Sequence, residues 1–325
     1  VSAELTEKIR TAFGACRLGR WPTPLAAEPE LADASAVEAL WTKREGASSE
    51  RYGGSKVRGL EFLLADAPAD AAFVTIGGTG STHCLATATH ARSLGHRCVL
   101  AQFPQPPTPV SLALGRAAVR AADVVERSTT RIGFPVALAR AWRAAQRLGS
   151  PRWIPGGGAH PRAVLGHVLA GLELAAQLPR APDAVVAPFG STGTVAGLVL
   201  AMRLLAWPTS VIGVRVAPLI LANRWRAASL ARAAERLLRR AAGPVPRSVA
   251  AVPLLVINGL GRGYGHPTPA GERAARLAMQ HGVTLDPTYT AKAFAALPQL
   301  APRGYRRIVF WHTFAPPPDP VEPDP

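Results

Sequence analysis

From about Ala71 onward the chain alternates short apolar runs with longer Ala/Leu/Arg segments whose apolar positions recur at helical spacing. The short runs predict strands at Ala72–Ile76, Arg97–Ala101, Ala184–Ala187, Val211–Val216 and Arg307–Trp311. The longer ones predict helices over Ser81–Leu94, Pro135–Leu148, Arg162–Leu178, Gly193–Leu205, Leu221–Ala242 and Pro269–His281. Strand and crossover helix in repeated alternation is the pattern of an α/β protein with largely parallel sheets. Phe103–Pro109 and the turn-rich Pro151–Pro161 read as surface connections, and Ala315–Pro325 is too proline-rich for helix or sheet and reads as a frayed tail. No internal repeat interrupts this order.

Composition narrows the class. A chain of 325 residues that is 48% hydrophobic can bury one large core or two smaller ones. The formal net charge of +16 would suit a polyanion, but the basic residues are spread along the chain and no aromatic-interleaved basic stripe accompanies them. Charge therefore argues for no nucleic-acid partner. Cys16, Cys84 and Cys98 are odd in number and lack metal-type spacing, which points to a reducing, cytoplasmic setting without disulfides or a zinc site. The first residues carry no apolar leader pattern, and the apolar stretch Ala181–Met202 is broken by Asp183, Pro188 and a Gly/Ser/Thr cluster, so neither a signal peptide nor a membrane span is expected.

Three short segments bear chemistry. Gly190-Ser-Thr-Gly-Thr194 lies between a predicted strand and a predicted helix, where backbone amides and the hydroxyls of Ser191, Thr192 and Thr194 can hold a phosphate monoester. The same residues also fit a plain strand-to-helix turn with a hydroxyl cap. Gly77-Gly-Thr-Gly-Ser-Thr-His83 repeats the arrangement, and its amides with Ser81 and Thr82 suit a carboxylate, or again a structural turn. Together the two loops suggest an amino-acid substrate beside a phosphorylated cofactor. Lys56 follows Gly53 and Gly54 at the start of a helical segment, where a cation is electrostatically disfavoured and a lowered amine pKa favours Schiff-base chemistry. Only four lysines occur, and Lys8 on a polar helical face, Lys43 at a charged strand end and Lys292 on a later helix are weaker candidates.

The ordered motifs Tyr52-Gly-Gly-Ser-Lys-Val-Arg-Gly-Leu-Glu-Phe-Leu63, Gly77–His83, Pro155-Gly-Gly-Gly158, Gly190–Thr194, Gly263-Tyr-Gly265, Leu285-Asp-Pro-Thr-Tyr-Thr-Ala-Lys292 and His312-Thr313 resemble the D-cysteine desulfhydrase and 1-aminocyclopropane-1-carboxylate (ACC) deaminase family. The resemblance runs from Pro22 to about Thr313. It implies pyridoxal 5′-phosphate (PLP) fold type II of the tryptophan-synthase-β kind, with two three-layer α/β domains. Residues 1–61 and 161–314 would form the large domain, 62–160 the small one and 315–325 a disordered tail. It further implies that Lys56 carries PLP as a Schiff base, that Gly190, Ser191, Thr192, Gly193 and Thr194 hold its phosphate, and that Thr82 and Thr290 face its ring. Ser81, Tyr264 and Tyr289 would be catalytic, no metal is implied, and a homodimer is expected.

Thr290 stands where ACC deaminases of the family place Glu and the desulfhydrases place Thr. A neutral partner makes the ring a weaker electron sink, which suits β-elimination from a small amino acid to a keto acid and ammonia better than cyclopropane opening. Ser55 and Thr82 replace residues that are usually Asn in the family, and Phe314 and Ala315 replace two glycines. These departures remove two amide side chains near the cofactor and add bulk beside it. ACC-type ring opening and a PLP-binding protein with altered catalysis are the alternatives.

Overall fold

The computed structural model describes residues 2–243 and 251–318. Among the described residues ten strands form two sheets: β1 Leu25–Ala27, β2 Ala39–Arg44, β3 Ala71–Gly78, β4 Arg97–Phe103, β5 Val124–Arg127, β6 Ser150–Ile154, β7 Ala184–Phe189, β8 Ser210–Arg215, β9 Leu254–Asn258 and β10 Arg307–His312. One sheet has the order β1-β2-β10-β7-β8-β9, the other β5-β4-β3-β6. Apart from the antiparallel β1–β2 pair every ladder is parallel. Sheets of this kind are covered on both faces, which explains why β7, Ala-Val-Val-Ala-Pro-Phe, is apolar and buried at every position instead of alternating.

The five strands expected from the apolar runs are all present, each extended by one to three residues except the one at Val211–Val216, which runs Ser210–Arg215. Three of the helices among the described residues begin where a hydroxyl or imidazole cap precedes proline. Thr108 and Ser111 form a reciprocal cap before Pro109, and His160 and Thr268 cap the helices that start at Pro161 and Pro269. The helix expected from Leu221 starts at Arg224, because Asn223 accepts from the Arg226 amide and marks the true N-cap.

Two expectations fail. Pro151–Pro161 is not simply a surface connection: its first residues belong to β6, and Gly156–Gly158 form a tight turn facing the interior cavity. Pro151 is tolerated because β6 is an edge strand that pairs only with β3, so a missing N–H breaks no interior ladder. The expected frayed tail does not start at Ala315, which is 4% exposed and whose carbonyl accepts from the Tyr52 hydroxyl at 3.4 Å. Residues 319–325 of that tail lie outside the described residues. No helix among the described residues is long and apolar enough to cross a membrane.

Candidate active site

The carboxyl ends of β3, β7, β8 and β10 open onto one cavity of about 460 Å³, the place where parallel α/β sheets leave backbone groups free for ligands. Pairing of β10 with β7 stops at Phe310–Val186, so Pro188, lacking an N–H, sits where the ladder has already parted and lines the cavity.

Lys56 opens the helix Lys56–Leu63 and faces this space. Its Nζ donates to the Gly157 carbonyl at 3.1 Å and to Ser191 Oγ at 3.4 Å, and Ser191 Oγ donates to the same carbonyl at 3.1 Å. Gly157 has φ +69°, and a Cβ there would stand 2.3 Å from the Ser191 Cβ, so only glycine lets the turn approach. Burial pulls the Lys56 amine down to about 8, leaving a substantial neutral fraction near physiological pH. The loop before it rests on the 45–48 turn: Gly54 N donates to Glu45 O at 2.9 Å, and a Cβ on Gly53 would lie 1.9 Å from Gly46 O.

The other lysines are committed elsewhere. Lys43 is not a solvated strand-end charge; it is fully buried, bonded to Glu173, to Gln177 Oε1 at 2.6 Å and to the Thr23 carbonyl at 2.7 Å. Lys292 is 2% exposed and donates to Leu260 O at 3.0 Å and Gly263 O at 3.4 Å, fastening the turn that precedes Tyr264. Among the described residues, Lys56 is the lysine lining the cavity.

Ser81 caps the helix Thr82–Ser93 by accepting from Cys84 N at 3.2 Å, which leaves its own O–H to donate, and both Ser81 and Thr82 line the cavity. At the other side Gly190, Ser191, Thr192 and Thr194 line it, while Gly193 starts the helix Gly193–Leu204 without reaching the lining. Thr192 has φ +76°, a left-handed conformation that a β-branched residue rarely adopts, and its Oγ1 is buried with no hydrogen-bond partner. An unpartnered hydroxyl at the positive end of a helix, on a cavity wall, fits an anionic group such as a phosphate.

Tyr264 and Tyr289 are brought together, with their hydroxyls 2.5 Å apart. Burial pushes Tyr264 up to about 12 and Tyr289 well above the usual phenol range, so both hold their protons. Thr290 is not placed on the cavity: its hydroxyl donates to Asp286 Oδ1 at 2.6 Å, and Asp286 is the residue of that pair which lines the wall. The Asp286 carboxylate also accepts the amides of Thr288, Tyr289 and Thr290 at 2.8–3.0 Å.

This combination, a neutralisable lysine between an anion turn and a hydroxyl-bearing loop, has a counterpart in known proteins: the pyridoxal-phosphate dependent enzyme family matches residues 16–313. The chain belongs to that family. Its cofactor is PLP. A D-cysteine desulfhydrase of Salmonella choleraesuis (strain SC-B67) is 33% identical over 290 residues, covering 85% of each chain, and one of Salmonella paratyphi A is 32% identical over the same share. The crystal structure of an ACC deaminase homologue superposes with a TM-score of 0.80 at 28% identity, covering 94% of each chain. A threonine deaminase of Solanum lycopersicum, 19% identical with a TM-score of 0.63 over 97% of this chain and 85% of its own, shares the fold. The family fold is therefore PLP fold type II, α/β with parallel-dominated sheets.

Sequence reasoning passed over several residues in and beneath this PLP site. His83 is buried beside Lys56, with Nε2 2.9 Å from the Thr75 hydroxyl, and burial together with the Lys56 charge pulls it down to about 3. It is a neutral neighbour of the amine. Asp286, Phe103 and Phe134 line the cavity without belonging to any anion-loop pattern. Beneath the loop, Arg58 pairs with Glu45 and Glu173 under the Trp21 ring, 3.9 Å from its centroid.

Proposed function

We propose that this PLP enzyme is a lyase that eliminates a β-substituent from a small amino acid, as the name D-cysteine desulfhydrase describes for its relatives, and releases a keto acid and ammonia. The observation carrying this reading is the position of Lys56. Its lowered amine sits 3.4 Å from the anion turn at Ser191 and shares one cavity with Ser81 and the tyrosine pair.

In this reading the Gly190–Thr194 amides and the Thr192 hydroxyl would hold the cofactor phosphate, and Lys56 Nζ would hold its aldehyde carbon covalently. Bound PLP supplies an electron sink at the substrate Cα. The residues supply the rest. Ser81 Oγ and the loop amides bind the carboxylate, and Lys56 Nζ, once released, takes the Cα proton. The Tyr264–Tyr289 pair, protonated at neutral pH, stands ready to donate to the departing group. Thr290, bonded to Asp286, would act on the cofactor ring only by turning its hydroxyl. The two-domain division at residues 62–160, a homodimer and a cytoplasmic setting belong to the same proposal. The sheet β5-β4-β3-β6, contained within residues 71–154, and three cysteines without disulfides support its first and last parts.

The test is turnover. Protein loaded with PLP is given D-cysteine, L-cysteine or ACC, and pyruvate with sulfide, or 2-oxobutanoate, is measured. Pyruvate and sulfide from cysteine, lost in Lys56→Ala together with the visible band of the bound cofactor, is the expected result. Release of 2-oxobutanoate alone would overturn the elimination reading.

A further inference from the structure

One wall of the cavity is aromatic from the tyrosine pair outward. Tyr289 meets Tyr264 edge-on with centroids 6.0 Å apart, Tyr264 lies 6.1 Å from Phe103, and Phe103 meets Phe134 edge-on at 5.6 Å. All four rings line the cavity. Phe134 begins the helix Phe134–Leu148 at the surface end, where Ile132 and Val136 are 93% and 58% exposed. Apolar surface facing water is unfavourable in proportion to its area, and a pocket that retains it does so where a ligand covers it.

The polar duties of a PLP lyase are met elsewhere in the cavity, by the Gly77–Thr82 loop, the Gly190–Thr194 turn and Lys56. What the aromatic wall can contact is therefore the group attached at the substrate Cβ. A hydrosulfide is small and strongly hydrated and gains nothing from four rings. We propose that the departing group is an apolar alkyl- or arylthiol whose carbon substituent lies along Tyr264, Phe103 and Phe134, so that S-substituted cysteines are preferred to cysteine itself.

The proposal rests on the lyase reading and narrows it. The Cα–H bond breaks with its proton going to Lys56 Nζ, and the Cβ–S bond breaks with its electron pair leaving on sulfur. The thiolate takes a proton from the tyrosine pair and departs as R–SH, and the proton that Lys56 Nζ took from Cα restores the phenol. One water then converts the remaining three-carbon unit to pyruvate and ammonium, so atoms and charge balance without an oxidant. Rings at the sulfur also shed water from the developing thiolate, which favours departure of a thiol over that of an ion needing hydration.

The experiment uses PLP-loaded enzyme with cysteine, S-methylcysteine, S-benzylcysteine and S-carboxymethylcysteine, each in D and L form, reading pyruvate. Arg131 and Arg226 line the same cavity, so the carboxymethyl compound is the charged competitor. The expected result is a kcat/KM for S-benzylcysteine at least tenfold above cysteine and S-carboxymethylcysteine of the same configuration. The S-benzyl to cysteine ratio should fall at least tenfold in Phe134→Ala, with Phe103→Leu as the second variant should the first load cofactor poorly. Cysteine processed as fast as the benzyl compound, preference for the carboxymethyl compound, or an unaltered ratio in both variants would overturn the proposal while leaving the lyase reading intact. Should no compound release pyruvate, the lyase reading falls. The wall is then judged by dissociation constants from changes in cofactor absorbance, where a tenfold tighter S-benzylcysteine supports the apolar class and equal binding overturns it.

Discussion

Arg58→Met should destabilise the protein sharply, and the reason is local. The Arg58 guanidinium, 2% exposed, donates five hydrogen bonds: two to Glu45 at 2.6 and 2.8 Å, two to Glu173 at 2.9 and 3.1 Å, and one to Thr23 Oγ1 at 3.0 Å. Without it Glu173 keeps Lys43 and the Thr23 amide, but the fully buried Glu45 carboxylate keeps only the Thr23 hydroxyl. Breaking one side of a buried pair costs about 3–5 kcal/mol because the surviving charge is stranded. At roughly 2 °C per kcal/mol for a chain of this size, thermal unfolding of the apoprotein should shift down by about 6–10 °C at pH 7. The double variant Arg58→Met/Glu45→Gln should recover more than half of that loss, since neither charge is then stranded.

The pH dependence has a definite sign. Burial pushes the Glu173 carboxyl up, but Arg58 and Lys43 outweigh it and hold the group below the usual carboxylate range. A depressed folded pKa stabilises fully above the unfolded value of about 4.3 and loses that contribution as pH falls through the lower folded value. The gap between wild type and Arg58→Met should therefore be complete at pH 6–8 and narrow below about pH 4. A shift under about 2 °C at pH 7, or a gap that widens on acidification, would refute the argument.

Further outcomes follow from the site itself. Thr192→Ala should weaken PLP binding by about 1.5–3 kcal/mol in an absorbance titration, because a buried hydroxyl now without a partner is lost to the phosphate. Lys292→Met frees the Leu260–Gly263 turn and with it Tyr264, so kcat should drop roughly 10- to 100-fold while PLP affinity stays within about threefold. The rate of PLP loading should rise with pH through about 8, following the neutral Lys56 amine; a rise placed near the ordinary lysine value would remove burial as the controlling factor.

Much of this architecture was legible because parallel strands buried on both faces are written as unbroken apolar runs. β7 and the core of β3 are such runs. β6 escaped because its sequence, Ser-Pro-Arg-Trp-Ile, belongs to an edge strand with exposed residues. β5, only four residues of which none is buried, gave no contrast with its surroundings. In the site, loops were visible through glycine and hydroxyl clusters followed by helices. Arg58, Glu45 and Glu173 were not, since charges that meet across 128 residues of sequence look like surface charges until they are buried together. Thr290 shows the opposite limit. Position along the chain carried it to the right helix, while the carboxylate of Asp286 four residues earlier decided where its hydroxyl pointed.

The strand order has a bearing on how the protein is made. β10 lies between β2 and β7, and Ser55 N, next to Lys56, donates to Thr313 O at 3.1 Å. A nascent chain that has emerged as far as residue 300 holds β2 and β7 with no strand to join them, two unpaired edges waiting on a ribosome. The smaller sheet, complete by residue 154, can assemble during synthesis. The larger one closes only when β10 inserts, and the same event sets the loop bearing Lys56. Emergence of β10 and competence to take up cofactor should thus be coupled in time, with chaperone demand concentrated in the interval before β10 arrives.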